Sequence, residues 1–239
     1  VTIRTIIIAA AAAILLMAGP SAAQTITSPY DFVERGQAFR AHVTYVAADR
    51  GIIGIGPGSG VAAGVGYTIR VSGPFALDAR FAYLPTSRTV YTVRDDADPD
   101  QIAEDPMVGL EEIGTADLTL SMLDASLRFD ITGPRTWHRL QPYALIGAGA
   151  IFRTSADHSA EEDLRDDIDL RVRFRNGVTG HIGAGVEMHL SPSVSLRVDA
   201  RNLFWRLHVP TGFITSARVI DDREWSTSGH FGVGAAWRF

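Results

Sequence analysis

From Phe39 to Phe239 the chain repeats one device, placing apolar residues on every second position with small, polar or charged residues between them. In the first such segment Phe39, Ala41, Val43 and Tyr45 oppose Arg40, His42 and Thr44. In the second, Val61, Ala63, Val65, Tyr67, Ile69 and Val71 oppose Ala62, Gly64, Gly66, Thr68 and Arg70. The third sets Phe75, Leu77, Ala79, Phe81 and Tyr83 against Asp78 and Arg80, and its pattern runs on towards Val93. A sixth segment, from Val178 to Leu190, opposes Val, Ile, Ala and Met to Thr179, His181, Gly183, Gly185, Glu187 and His189. A seventh carries Val194, Leu196, Val198 and Ala200 against Ser195, Arg197, Asp199 and Arg201. The closing segment, from about Trp225, sets Phe231, Val233, Ala235, Trp237 and Phe239 against Gly232, Gly234, Ala236 and Arg238. Strand side chains alternate between two faces, so a period of two predicts strands with one apolar face.

Two segments depart from this regularity. In the fourth, Leu118 and Leu120 are in one phase and Leu123, Ala125, Leu127, Phe129 and Ile131 in the other, with Asp124, Ser126, Arg128 and Asp130 between them. An extra residue near Met122, a β-bulge, would account for the switch. In the fifth, from Leu140 to Arg153, both phases are largely apolar, and the pattern does not decide which face is which.

About eight strands result, joined by links that alternate in length. Ser72-Gly73-Pro74, the stretch from Thr132 to Arg139 with Gly133-Pro134, and Ser191-Pro192-Ser193 have the residue chemistry of tight turns. The other links are long and glycine-rich or acidic: Asp49 to Gly58, Asp95 to Gly114, Ser155 to Asp167 and His208 to Glu224. An even strand count with short turns on one side and long loops on the other is the layout of a bacterial transmembrane barrel. It predicts an all-β, antiparallel, up-and-down barrel with both termini on the periplasmic side.

The charges say which face meets lipid. Arg40, Arg70, Asp78, Arg80, Asp124, Arg128, Asp130, Glu187, Arg197, Asp199, Arg201 and Arg238 all fall on the non-apolar phase. An Arg facing lipid at the bilayer midplane costs about 2–4 kcal/mol, so these residues belong inside. With both signs present, a network of ion pairs filling the lumen is expected, since a barrel of about eight strands is only wide enough for side chains. A soluble calyx would reverse the two faces.

The start of the chain adds a destination. Arg4, the apolar run Ile6 to Met17 and the small residues Ala18 to Ala23 form a secretory signal peptide, with cleavage expected after Ala23. The run is shorter than the roughly 20 residues a spanning helix needs. Residues 24–35 are expected to be a short periplasmic lead and 36–239 the barrel. The absence of cysteine excludes disulfides and thiolate chemistry, and a net charge of -5 gives no reason to expect nucleic acid as a partner. Every basic residue is Arg, which with abundant Ala and Gly points to a high-GC bacterial genome.

Candidate chemistry is sparse, and no cofactor or metal is expected. Gly54 to Gly60 lacks the Lys-Ser/Thr ending of a phosphate loop and feeds a strand, so it is expected to be a flexible loop. His181, Glu187 and His189 share a face but spread along one strand, giving no compact metal site. His158-Ser159 lies in an acidic loop without an assignable orienting carboxylate. Of that loop and of Asp95 to Glu112, solvation is the expected role, although carboxylates beside a phosphate-rich leaflet could share Ca²⁺ or Mg²⁺ with it.

On its leader, alternating strands and terminal Phe231-Gly-Val-Gly-Ala-Ala-Trp-Arg-Phe239, the chain resembles the small outer-membrane β-barrel family, the OmpA/OmpX/OmpW-like group. The resemblance spans residues 36–239. It implies an integral outer-membrane location, contact with outer-membrane lipid, and a terminal strand read by the barrel-assembly machinery through Phe231, Val233, Trp237 and Phe239. It also implies that no peptidoglycan-binding domain follows. The expected role is structural or surface-directed, in envelope integrity or adhesion, and not enzymatic. A narrow channel for small hydrophobic molecules is the alternative, and an outer-membrane lipid-modifying enzyme a third.

Overall fold

A computed structural model describes residues 28–51, 54–94, 109–156, 174–210 and 223–239. Two three-residue strands, β1 (Tyr30–Phe32) and β6 (Arg135–Trp137), accompany eight long ones. These are β2 (Gln37–Ala48), β3 (Gly60–Ser72), β4 (Phe75–Val93), β5 (Leu110–Asp130), β7 (Leu140–Ala156), β8 (Gly177–His189), β9 (Val194–His208) and β10 (Arg223–Arg238). Each long strand is antiparallel to its neighbours. The β2–β10 ladder, from Arg238↔Ala38 to Ser228↔Ala48, closes the sheet, so no long edge is left unpaired. Phe239 is itself tied down, its N–H donating to the Gln37 carbonyl at 3.1 Å.

The apolar phase faces outward. Leu77, Leu123, Val198, Phe231 and Val233 are all exposed, as a hydrocarbon-facing wall requires. β4 and β5 have 19 and 21 residues, about twice the roughly 9–11 that cross a bilayer. Their hairpin therefore stands well clear of the hydrocarbon at the end opposite the termini, called here the loop end.

Glycines on the inward phase make room for large lumen side chains. A Cβ on Gly66 would lie 2.6 Å from Arg40 Nη2, and one on Gly147 would collide with the Ala125 carbonyl and the His181 ring. Gly180 faces outward, and a Cβ there meets nothing within 4 Å. Gly147→Val should therefore lower the denaturant-unfolding free energy in vesicles by about 1–3 kcal/mol through overpacking, whereas Gly180→Ala should leave it nearly unchanged. Equal midpoints for the two variants would contradict the close approach at Gly147.

Several expectations need correcting. The fourth segment has no bulge near Met122, because β5 runs through it in regular register. Leu118, Leu120 and Met122 point into the lumen, which is apolar at that level, while Leu123 and Leu127 point out. Irregularities sit instead in β7, where Thr154 is skipped between Ser155↔Thr119 and Arg153↔Leu120, and at Ile113 near the start of β5, skipped between Gly114↔Val90 and Glu112↔Tyr91. In the fifth segment Gln141, Tyr143, Leu145 and Ile151 are buried inward, with Gly147 and Gly149 on the same phase.

The stretch from Thr132 to Arg139 is not one tight turn. It contains β6, which pairs with β1, and a two-residue hairpin whose His138 and Arg139 have φ of 49° and 65°. Those left-handed angles suit a tight hairpin but are uncommon without Gly. The His138 N–H donates to the Pro29 carbonyl at 2.9 Å, which fastens the turn.

The lead before the barrel is also tied into it. Val33 N–H donates to Pro134 O, Arg70 Nη1 to Val33 O, and Arg35 Nη1 to both Ser193 Oγ and Arg238 O. The Gly54–Gly60 stretch, expected to be a flexible loop, is packed at the barrel mouth. Gly56 N–H donates to Arg50 O and Gly58 N–H to Ser87 O, and Ile55 is fully buried. Glu111 and Glu112, expected in a loop, open β5. The signal peptide, His158, Ser159 and the remaining loop carboxylates lie outside the described residues.

Candidate functional site

The structure brings all twelve charged residues singled out above onto the inward phase, in the half of the lumen nearer the termini. Asp78 on β4 is the hub. Its carboxylate accepts from Arg40 Nη1 at 3.2 Å, Arg197 Nη1 at 2.6 Å, Arg201 Nη2 at 3.3 Å and Thr68 Oγ1 at 2.8 Å. Arg201 also reaches Asp124 at 3.2 Å, and Asp124 accepts from Arg80 Nε at 2.8 Å. Asp199 bonds the Nε of both Arg197 and Arg201, each at 3.1 Å.

A second group lies closer to the terminal rim. Glu187 accepts from Arg128 Nη1 and Arg238 Nη2, both at 2.7 Å, and from Ser195 Oγ. Arg128 Nε donates to Asp130 at 2.6 Å. Arg70 is half-buried and is engaged with the Val33 carbonyl instead of a carboxylate.

Tyr143 joins the two groups. The guanidinium carbons of Arg128 and Arg197 lie 4.1 Å and 4.5 Å from its ring centroid, Arg197 Nε donates to its hydroxyl, and the hydroxyl donates to Asp199. Stacking between two cations in a desolvated lumen is favourable for an aromatic face. Sequence reasoning missed Tyr143 because it sits on the strand whose facing the pattern left open. Gln141, a polar residue two positions earlier on the same phase, was the available signal.

Above this ionic half the lumen becomes mainly apolar, with Arg88, Thr179, Ser226 and Ser228 also buried there. Val46, Leu84, Leu118, Leu120, Met122 and Leu203 pack together there, with Ile55, Phe174, Trp205, Leu207 and Val209 closing the loop end. Trp205 thus points inward. The small residual cavity at this level, about 20 Å³, is enough for a water molecule and little more.

Between the two halves, Ser126 Oγ lies 2.7 Å from His181 Nε2, with Asp124 Oδ1 3.8 Å from the same nitrogen. A catalytic triad needs the carboxylate on the other ring nitrogen. Asp124 is moreover held by Arg80 and Arg201, so the three do not form one. His189 Nε2 pairs with Gln141 Oε1 at 3.1 Å, and Glu187 is occupied by arginines. Among the described residues no group of His, Asp and Glu could hold a metal ion.

The proposed assembly residues Phe231, Val233, Trp237 and Phe239 all lie on the outward face, about half exposed, with the Trp237 and Phe239 rings 5.3 Å apart. At the loop end a cleft of about 660 Å³ opens beside β8 and β9, with Trp225 of β10 on its border.

The comparisons with known proteins agree with this geometry. The model of the family described as "Outer membrane protein beta-barrel domain" matches residues 8–239. No curated protein matches the chain significantly. Among solved structures, Neisserial surface protein A is 14% identical with a TM-score of 0.52, covering 85% of this chain and 97% of its own. The outer membrane protein OprG from Pseudomonas aeruginosa is 11% identical with a TM-score of 0.52, covering 87% of this chain and 99% of its own. At such identities the structures speak for the fold, and the family match covers nearly the whole chain. An inward ionic core, an outward apolar wall and that match together make this chain a member of the outer membrane protein β-barrel family.

Proposed function

We propose that this protein is a closed outer-membrane barrel with a structural or surface-directed role, in envelope integrity or adhesion, and that it is neither a conduit nor an enzyme. The observation that carries this reading is the filled lumen, ionic below and mainly apolar above. Opening a path would part Asp78 from Arg40, Arg197 and Arg201 in a low-dielectric interior, and stranding a buried ion costs several kcal/mol. Nothing about such a plug is useful to a pore.

In this reading the termini face the periplasm and the long β4–β5 hairpin is displayed outside. Trp237 and Phe239 mark the strand for the assembly machinery, and the acidic loops meet divalent cations or surface ligands. Planar-bilayer recording on the full protein provides the test. A quiet baseline is expected across the physiological voltage range; reproducible stepwise openings would overturn the closed-barrel reading.

A narrow route for small hydrophobic molecules has one observation in its favour. Phe174, Trp205 and Leu207 belong both to the apolar upper lumen and to the cleft in the wall. Accelerated entry of a hydrophobic dye into vesicles carrying the protein would support that second reading.

A further inference from the structure

The cleft leads beyond the closed-barrel reading. The β8–β9 ladder ends at Thr179↔Trp205, yet β9 runs on to His208 and there pairs with β10 alone. On its other side β8 begins at Gly177, opposite Ile151. Among the described residues the wall is therefore unladdered between the start of β8 and the end of β9, and the cleft occupies this notch. Val178, Phe204 and Trp225 line it from the outward face, and Phe174, Trp205 and Leu207 from the lumen side. Phe174 and Trp205 stack with centroids 6.3 Å apart, giving the floor a flat apolar surface.

The polar lining has one sign. Among the described residues Arg175, Arg206 and His208 border the cleft, and no Asp or Glu does. The Arg206 guanidinium lies 4.8 Å from the Trp225 ring centroid, holding the cation at the mouth. A cavity of this size falls within the range of small-molecule sites, roughly 300–1,000 Å³, and suits one chain better than the several of a membrane lipid.

We propose that the cleft is a binding site for a single-chain anionic amphiphile, a long-chain fatty acid. Its alkyl chain lies along Phe174, Trp205 and Phe204 and its carboxylate meets Arg175 and Arg206. The ligand enters sideways from the leaflet, through the notch, and the ionic half of the lumen stops it from passing further. The site thus holds its ligand without needing conduction.

Two of the four tryptophans, Trp205 and Trp225, line the cleft, whereas Trp137 and Trp237 sit near the terminal rim. The full protein in zwitterionic nanodiscs can therefore be titrated with a brominated fatty acid while tryptophan fluorescence is followed. Saturable quenching is expected, with affinity about tenfold above that of the matched brominated alcohol, the difference a charge-assisted hydrogen bond supplies. Arg175→Gln with Arg206→Gln should reduce the acid to the level of the alcohol. Gly180→Leu, whose Cβ has open space around it, should grow into the cleft and abolish saturation while the heat-modifiable gel shift of a folded barrel persists. Equal binding of acid and alcohol, or quenching that rises without saturation and alike in parent and Gly180→Leu, would overturn the proposal. So would saturable quenching by brominated phospholipid alone. Should Gly180→Leu fail to fold, the arginine pair still decides the matter.

Discussion

Asp78→Ala should lower the unfolding free energy of the barrel in vesicles by about 3–5 kcal/mol, the cost of stranding buried charge by removing its partner. Asp78 is fully buried, and Arg40 of β2 and Arg197 and Arg201 of β9 converge on it. Arg197 and Arg201 keep Asp199, but Arg40 has no other carboxylate within bonding distance among the described residues. Loss of the hub therefore leaves a guanidinium in the lumen without its counter-charge. Denaturant titration of the variant, followed by tryptophan emission, measures the change. A shift below about 1 kcal/mol would mean that the network is bridged by water and contributes little, as exposed ion pairs do.

The second large effect concerns the other face. Val198→Arg should cost about 2–4 kcal/mol, because Val198 points outward from the middle of the β9 span with Val186 and Val233 beside it. Val194→Arg, on the same face at the terminal rim, should cost about 0–1 kcal/mol, since a long cation there reaches the headgroups. The depth dependence is the diagnostic quantity. Two arginines tolerated equally well would mean that this face does not lie in hydrocarbon, and the barrel would have to be turned inside out.

The lower lumen was legible because charge and alternation agree there. Arg197, Asp199 and Arg201 stand two apart with Leu196, Val198 and Ala200 between them, and only one assignment of faces keeps those charges out of lipid. The upper lumen was not legible. Leu118, Leu120 and Met122 have the same chemistry as residues that face lipid, so their inward phase looked like a bulge. Ile55 and Trp205 were hidden for the same reason. An apolar side chain is at home against hydrocarbon or against other side chains, and composition does not distinguish the two. The ties from Val33 and Arg35 across the terminal rim were equally invisible, being long-range bonds to backbone and hydroxyl groups that any sequence offers.

Order along the chain was thus enough for the number of long strands, though not for β1 and β6, for the side each charged row takes and for the placing of long links at one end. These depend on a period of two and on the cost of charge in lipid, and both are local. Closure of the cylinder decided the rest: which carboxylate meets which arginine, that Tyr143 lies between two of them, where the lumen turns apolar and where the wall parts beside β8. Each of those depends on the stagger between neighbouring strands, a quantity that pairing sets and that no single strand contains.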